Sequence, residues 1–157
     1  MKFLRSCYRA LIAAAHWFQP LFLLVLRLFL GVAFWEAGSG KLMHIDAFID
    51  FLSTLHIPAP SFTAYFVATV EAVGGISLLI GLGARLMGLI LTINMIVAYL
   101  TAHMEAVWML WSHPGLFVAQ EAFLYLLGSA VIFAFGPGLI SIDGVLKRYV
   151  FRERIRP

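Results

Sequence analysis

The chain has 157 residues, of which 62% are hydrophobic and 12% charged, with a mean hydropathy of +0.96. Soluble domains carry about 45–50% apolar and about 25% charged residues, so this chain cannot cover a water-facing surface, and its apolar excess also excludes disorder. The net charge is +3, and a single cysteine, Cys7, excludes an intramolecular disulfide and any multi-cysteine metal or iron–sulfur site.

Residues 1–18 join Lys2, Arg5 and Arg9 to the short apolar run ALIAAA. That run is too short for a signal-peptide core, and a full span follows at once. The segment is expected to be a helix on the cytoplasmic membrane surface, with Trp17 and Phe18 among the headgroups. Crossing about 30 Å of hydrocarbon at about 1.5 Å per residue takes roughly 20 apolar residues. Stretches 20–38, 61–83, 86–103 and 115–136 meet that length, and backbone groups in lipid must be satisfied within each segment, so all four are predicted helices. Between the first two, Leu42, Ile45, Phe48, Leu52 and Leu55 recur at helical spacing. This predicts a short amphipathic helix that stops before Pro58.

The expected fold class is therefore an all-α membrane protein. It is a four-transmembrane-helix bundle with an N-terminal interfacial helix and a short amphipathic helix in the first outer loop. Residues 1–18 form the interfacial segment, 19–145 the membrane domain and 146–157 a basic cytoplasmic tail. Lys2, Arg5, Arg9, Arg85, Lys147, Arg148, Arg152, Arg154 and Arg156 fall on one side of such a bundle, and Lys41 alone on the other. By the positive-inside rule both termini are cytoplasmic.

Ionisable groups inside a membrane cost roughly 2.5–3.5 kcal/mol on insertion scales and are functional suspects. Counted from the cytoplasmic ends, Arg27 and Asn94 lie about 12 Å deep and Glu71 about 17–18 Å. Glu36, His103 and Glu121 lie about 22–26 Å deep. In the middle layer, Arg27 is expected to pair with Glu71, with Asn94 adding a hydrogen bond. That set reads either as a bridge fixing helix register or as a charged floor under a ligand cavity. In the outer layer, two carboxylates and an imidazole can exchange protons with a quinone or bind a metal ion. Glu121 and His103 lead that candidate site. Arg27 and Glu36 are nine residues apart, as are Asn94 and His103, which is half a helical turn out of phase. Glu36 and His103 therefore also read as helix ends reaching headgroup water. No metal motif such as HExxH is present.

Trp35, Trp108 and Trp111 suit an interfacial aromatic belt. The basic tail suits anionic lipid, no nucleotide-binding loop is present, and no nucleic-acid partner is expected.

Four segments carry a resemblance: LRLFLGVAFWEAGSGKL (26–42), IPAP (57–60), EAVGGISLLIGLGAR (71–85) and FGPGLISID (135–143). In order and spacing they resemble the DoxX family of small bacterial four-helix membrane proteins, over roughly residues 20–145. The resemblance implies a multi-pass protein of the bacterial inner membrane. One relative is a subunit of a thiosulfate:quinone oxidoreductase. Others look like membrane anchors for redox-stress enzymes or belong to clusters handling copper or modified peptides. The implied function is an accessory or anchoring subunit in membrane redox or metal homeostasis. The cofactor is left open between a quinone and a metal ion, and the expected partners are the lipid bilayer, a redox enzyme and further copies of the chain. No cysteine or haem pattern builds an autonomous redox centre, which favours a subunit over a free-standing oxidoreductase. A small-molecule or metal transporter without redox activity is the alternative.

Overall fold

The computed structural model describes residues 2–138 and 141–149. Eight helices follow in order: α1 (Lys2–Met43), α2 (Ile45–Thr54), α3 (Pro60–Ile80), α4 (Ala84–Ala102), α5 (Met104–Trp108), α6 (Pro114–Val118), α7 (Glu121–Phe135) and α8 (Ile142–Tyr149). The described residues contain no strand. Helices α1, α3 and α4 are long and apolar enough to cross a membrane, and α7 is a shorter apolar helix. Together they make a four-helix membrane bundle.

Two expected boundaries shift. The N-terminal helix is present but runs through Pro20 into the first span, so α1 is one helix of 42 residues. The fourth apolar stretch breaks at Ala119 and Gln120, and Gln120 is extended (φ −71°, ψ 135°). Glu121 thus opens α7, where its carboxylate complements the partial positive charge of a helix N-terminus. The basic tail beyond Tyr149 lies outside the described residues.

The most extensive packing is between α1 and α3, then between α4 and α7. Thinner contacts join the two pairs. Lipid supplies no hydrophobic drive between helices, so close backbone approach must hold them, and small residues permit it. A methyl group on Gly38 would overlap the backbone nitrogen of Ala72, and one on Gly75 would lie 2.5 Å from the nitrogen of Trp35. Between α4 and α7, Gly88 lies against the backbone of Phe133, and the Thr92 hydroxyl donates to Ser129 Oγ at 3.1 Å. Leu30, Phe34, Leu78, Leu91 and Ile132 fill the centre.

One end of the bundle is tied by a clasp. Asp143 accepts from the backbone N–H groups of Gly83 (2.8 Å) and Ala84 (2.9 Å), capping α4 from across the chain. Its own N–H donates to Gly81 O at 3.0 Å. Gly81 and Gly83 have φ of 72° and 59°, which glycine adopts without strain. At the other end α2 packs on α3 and against the end of α1. Its apolar face turns inward through Leu52. After α2, Ala59 takes a left-handed conformation (φ 49°) and Pro60 opens α3 at a position where its missing N–H costs nothing.

Overpacking a well-filled contact costs about 1–3 kcal/mol. Gly38→Val should therefore lower the unfolding temperature in detergent. Gly40→Ala, where a methyl group would meet nothing within 4 Å, should leave it unchanged or slightly raised. Equal effects of the two would contradict the α1–α3 contact.

Candidate functional site: a floored cavity between the helix pairs

A helical side chain leans toward the N-terminus of its own helix. Helices α1 and α3 are antiparallel. Lys41, near the end of α1, therefore leans back toward the bundle centre, while Glu71 of α3 leans out to meet it. The two form an ion pair. The Glu71 side chain is 2% exposed and that of Lys41 31%. Asn94 of α4 completes the set, its Nδ2 donating to Glu71 Oε1 at 3.1 Å. Both carboxylate oxygens thus have a partner. The Lys41 ammonium also lies 5.3 Å from the centre of the Phe48 ring of α2.

The expected pairing of Arg27 with Glu71 is not formed. The same geometry explains it: Arg27 leans along α1 away from Glu71, and Glu71 leans away from Arg27. Arg27 joins the clasp instead. Its Nη1 donates to Pro137 O at 3.1 Å, and its guanidinium packs on Gly81. Its Nε has no hydrogen-bond partner among the described residues. Arg85 Nη2 reaches Phe135 O at 3.5 Å, so two cations meet the C-terminal end of α7, where they complement the helix dipole. Of the expected middle layer, Glu71 and Asn94 are brought together and Arg27 is not. Lys41 takes its place.

Above this floor lies a cavity of about 500 Å3 between the two helix pairs, under α2. Phe34, Phe48, Phe51 and Met95 supply apolar walls. Lys41, Glu71 and Asn94 line one part of it, and His103 and Glu121 another. Tyr125 also lines it, its ring edge-on to Phe34 at 4.8 Å between centroids. Glu36 does not line the cavity and is exposed. His103 ends α4, with its ring 5.7 Å from that of Tyr99. Among the described residues no three His, Cys, Asp or Glu side chains converge on a point that could hold a metal ion. His103, Glu121 and Glu36 therefore do not make a ligand set.

Two residues of the site, Lys41 and Tyr125, stand outside the expected candidates. Lys41 carries a signal in the sequence as the lone basic residue on its side of the bundle. Tyr125 shares a helix face with Glu121.

The cavity uses its donors incompletely. Lys41 has three protons and Glu71 takes one. Asn94 keeps one N–H and its carbonyl oxygen. An apolar chamber with a few convergent polar groups is the usual form of a small-molecule site.

These features define a multi-pass membrane protein with a polar-floored, apolar cavity. The chain belongs to the DoxX family, whose profile matches residues 22–104. It is also similar to "Putative oxidoreductase CatD" of Bacillus subtilis (strain 168), with 28% identity over 120 residues, 76% of this chain and 83% of that protein. No solved structure matches.

Breaking a buried ion pair by removing one partner costs about 3–5 kcal/mol, because the other charge is stranded. Lys41→Met strands the sealed Glu71, whereas Glu71→Leu leaves Lys41 with access to the exterior. Lys41→Met should therefore be the more damaging in detergent unfolding. The double variant should be less damaging than the sum of the two. Arg27→Leu and Glu71→Leu, lacking a shared contact, should add within about 0.5 kcal/mol. Additivity for Lys41 with Glu71, or coupling for Arg27, would contradict this arrangement.

Proposed function

We propose that the protein is an accessory subunit of a membrane redox system and that its cavity takes a quinone-type ligand. The observation that carries this reading is an apolar chamber of about 500 Å3 ending on the Lys41–Glu71–Asn94 set. A quinone is a flat apolar ring with carbonyl oxygens that need hydrogen-bond donors. Phe34, Phe48 and Met95 offer surface to the ring, and Lys41, Asn94 and the Tyr125 hydroxyl are the nearby donors. In the reduced ligand the hydroxyl groups become donors, and Glu71 and Glu121 are acceptors on the same walls. The chain's role is to bind, orient and exchange protons, while electrons come from a partner enzyme. The oxidoreductase name of the similar Bacillus protein supports a redox setting.

The lack of a converging ligand set among the described residues weighs against the metal reading. The inner membrane of a bacterium, with both termini cytoplasmic, is the proposed location. Nine basic residues on one side against Lys41 on the other support that orientation.

The test is binding of a short-chain quinone to the purified protein, followed by tryptophan fluorescence. Tyr125→Phe and Asn94→Leu each remove a donor worth about 0.5–1.5 kcal/mol, so each should weaken binding by up to roughly tenfold. Helix content should be unchanged. Absence of binding to the wild-type protein, or binding to both variants as tight as to the wild type, would overturn the proposal.

A further inference from the structure

At about 1.5 Å per residue α1 is about 63 Å long, while the hydrocarbon core is about 30 Å and the whole bilayer about 40–45 Å. With its second half packed in the bundle, its first half reaches beyond the membrane core. From Ser6 to Gln19 every residue is exposed.

The exposed face has a seven-residue period. Cys7, Leu11, Ala14 and Phe18 fall at alternating d and a positions of one heptad frame, and Leu21, Val25 and Leu28 continue it beyond Pro20. All seven are exposed. The opposite face changes character at Pro20. Above it the f positions are Leu23 and Leu30, both buried in the bundle. Below it the f positions are Arg9 and His16, both exposed. So the bundle-facing stripe turns polar where the bundle ends, while the outward stripe stays apolar. Lipid explains an apolar outward stripe only within the hydrocarbon or along a helix that lies flat on the membrane surface. An apolar stripe repeated at 3.5 residues past that level is the pattern of a helix paired with another helix.

We propose that this face is the interface with a second copy of the chain, formed by parallel pairing of the two α1 helices. Two copies inserted in the same orientation are related by a two-fold axis along the membrane normal, which makes the helices parallel and the contact self-complementary. Parallel pairing in register sets each a and d residue against its own copy. Cys7 and Ala14 are small, which lets the helices approach closely. Arg9 and His16 at f point away from the seam, so pairing brings no like charges together. A helix lying on anionic lipid would instead have to turn near Pro20, whereas the backbone is helical across it.

Cys7 is the only thiol in the chain and reports the contact directly. Native membranes containing the protein are oxidised with copper–phenanthroline and run on a non-reducing gel. A disulfide-linked dimer of the unaltered chain is expected. Moving the thiol to the second d position (Cys7→Ser with Ala14→Cys) should preserve the dimer, and moving it to f (Cys7→Ser with Arg9→Cys) should abolish it. Light scattering of the unaltered protein in native-lipid nanodiscs should give the mass of two chains. Failure of both d-position thiols to cross-link, equal cross-linking from f, or a single-chain mass would overturn the proposal and favour a lipid-bound helix.

Discussion

Glu71 is a carboxylate sealed inside a membrane protein, and the packing of α1, α3 and α4 around it answers to that burial. Glu71 is 1% exposed and sits midway along α3. Its burial is tolerated only with a partner charge and a further hydrogen bond. Lys41 can reach it because α1 and α3 touch backbone to backbone at Gly38 and Gly75, and because antiparallel helices aim their side chains toward one another across that contact. Asn94 then draws α4 to the same point. The ion pair, the glycine contact and the floor of the cavity are therefore one arrangement: widening the α1–α3 contact would withdraw Lys41, strand Glu71 and open the floor.

The clasp is the counterpart at the opposite end. Arg27, Asp143 and Gly81 join α1, the α3–α4 turn and the segment after α7. The segments behind the family resemblance map onto these parts. Residues 71–85 supply Glu71, Gly75 and the turn glycines, 135–143 supply the clasp, and 26–42 supply Arg27, Gly38 and Lys41. Those segments thus describe a scaffold with a chamber, which is why they point to a fold more readily than to a reaction.

Much of the fold was legible from hydropathy alone, since spans 61–83 and 86–103 correspond closely to α3 and α4. The buried polar residues were legible as unusual, and Glu71 with Asn94 do bond. Their partner was not legible, for a specific reason. Axial depth puts Arg27 near Glu71 but ignores the lean of the side chains, which separates those two and joins Glu71 to Lys41. Ending the first span at Gly38 also made Lys41 look like a loop residue, whereas helical hydrogen bonding continues to Met43. The break before Glu121 is hidden in the sequence because Ala119 and Gln120 are ordinary helix residues; in the structure it lies at the extended backbone of Gln120.

Lys41, and not Arg27, neutralises Glu71. The most direct measurement is a solid-state NMR distance in lipid, from the labelled Glu71 carboxylate carbon to the side-chain nitrogens of lysine and of arginine in turn. Strong dephasing by the Lys41 ammonium is expected, as for an ion pair with nitrogen and oxygen within about 4 Å, and none by arginine. Dephasing by arginine, or by neither, would contradict it.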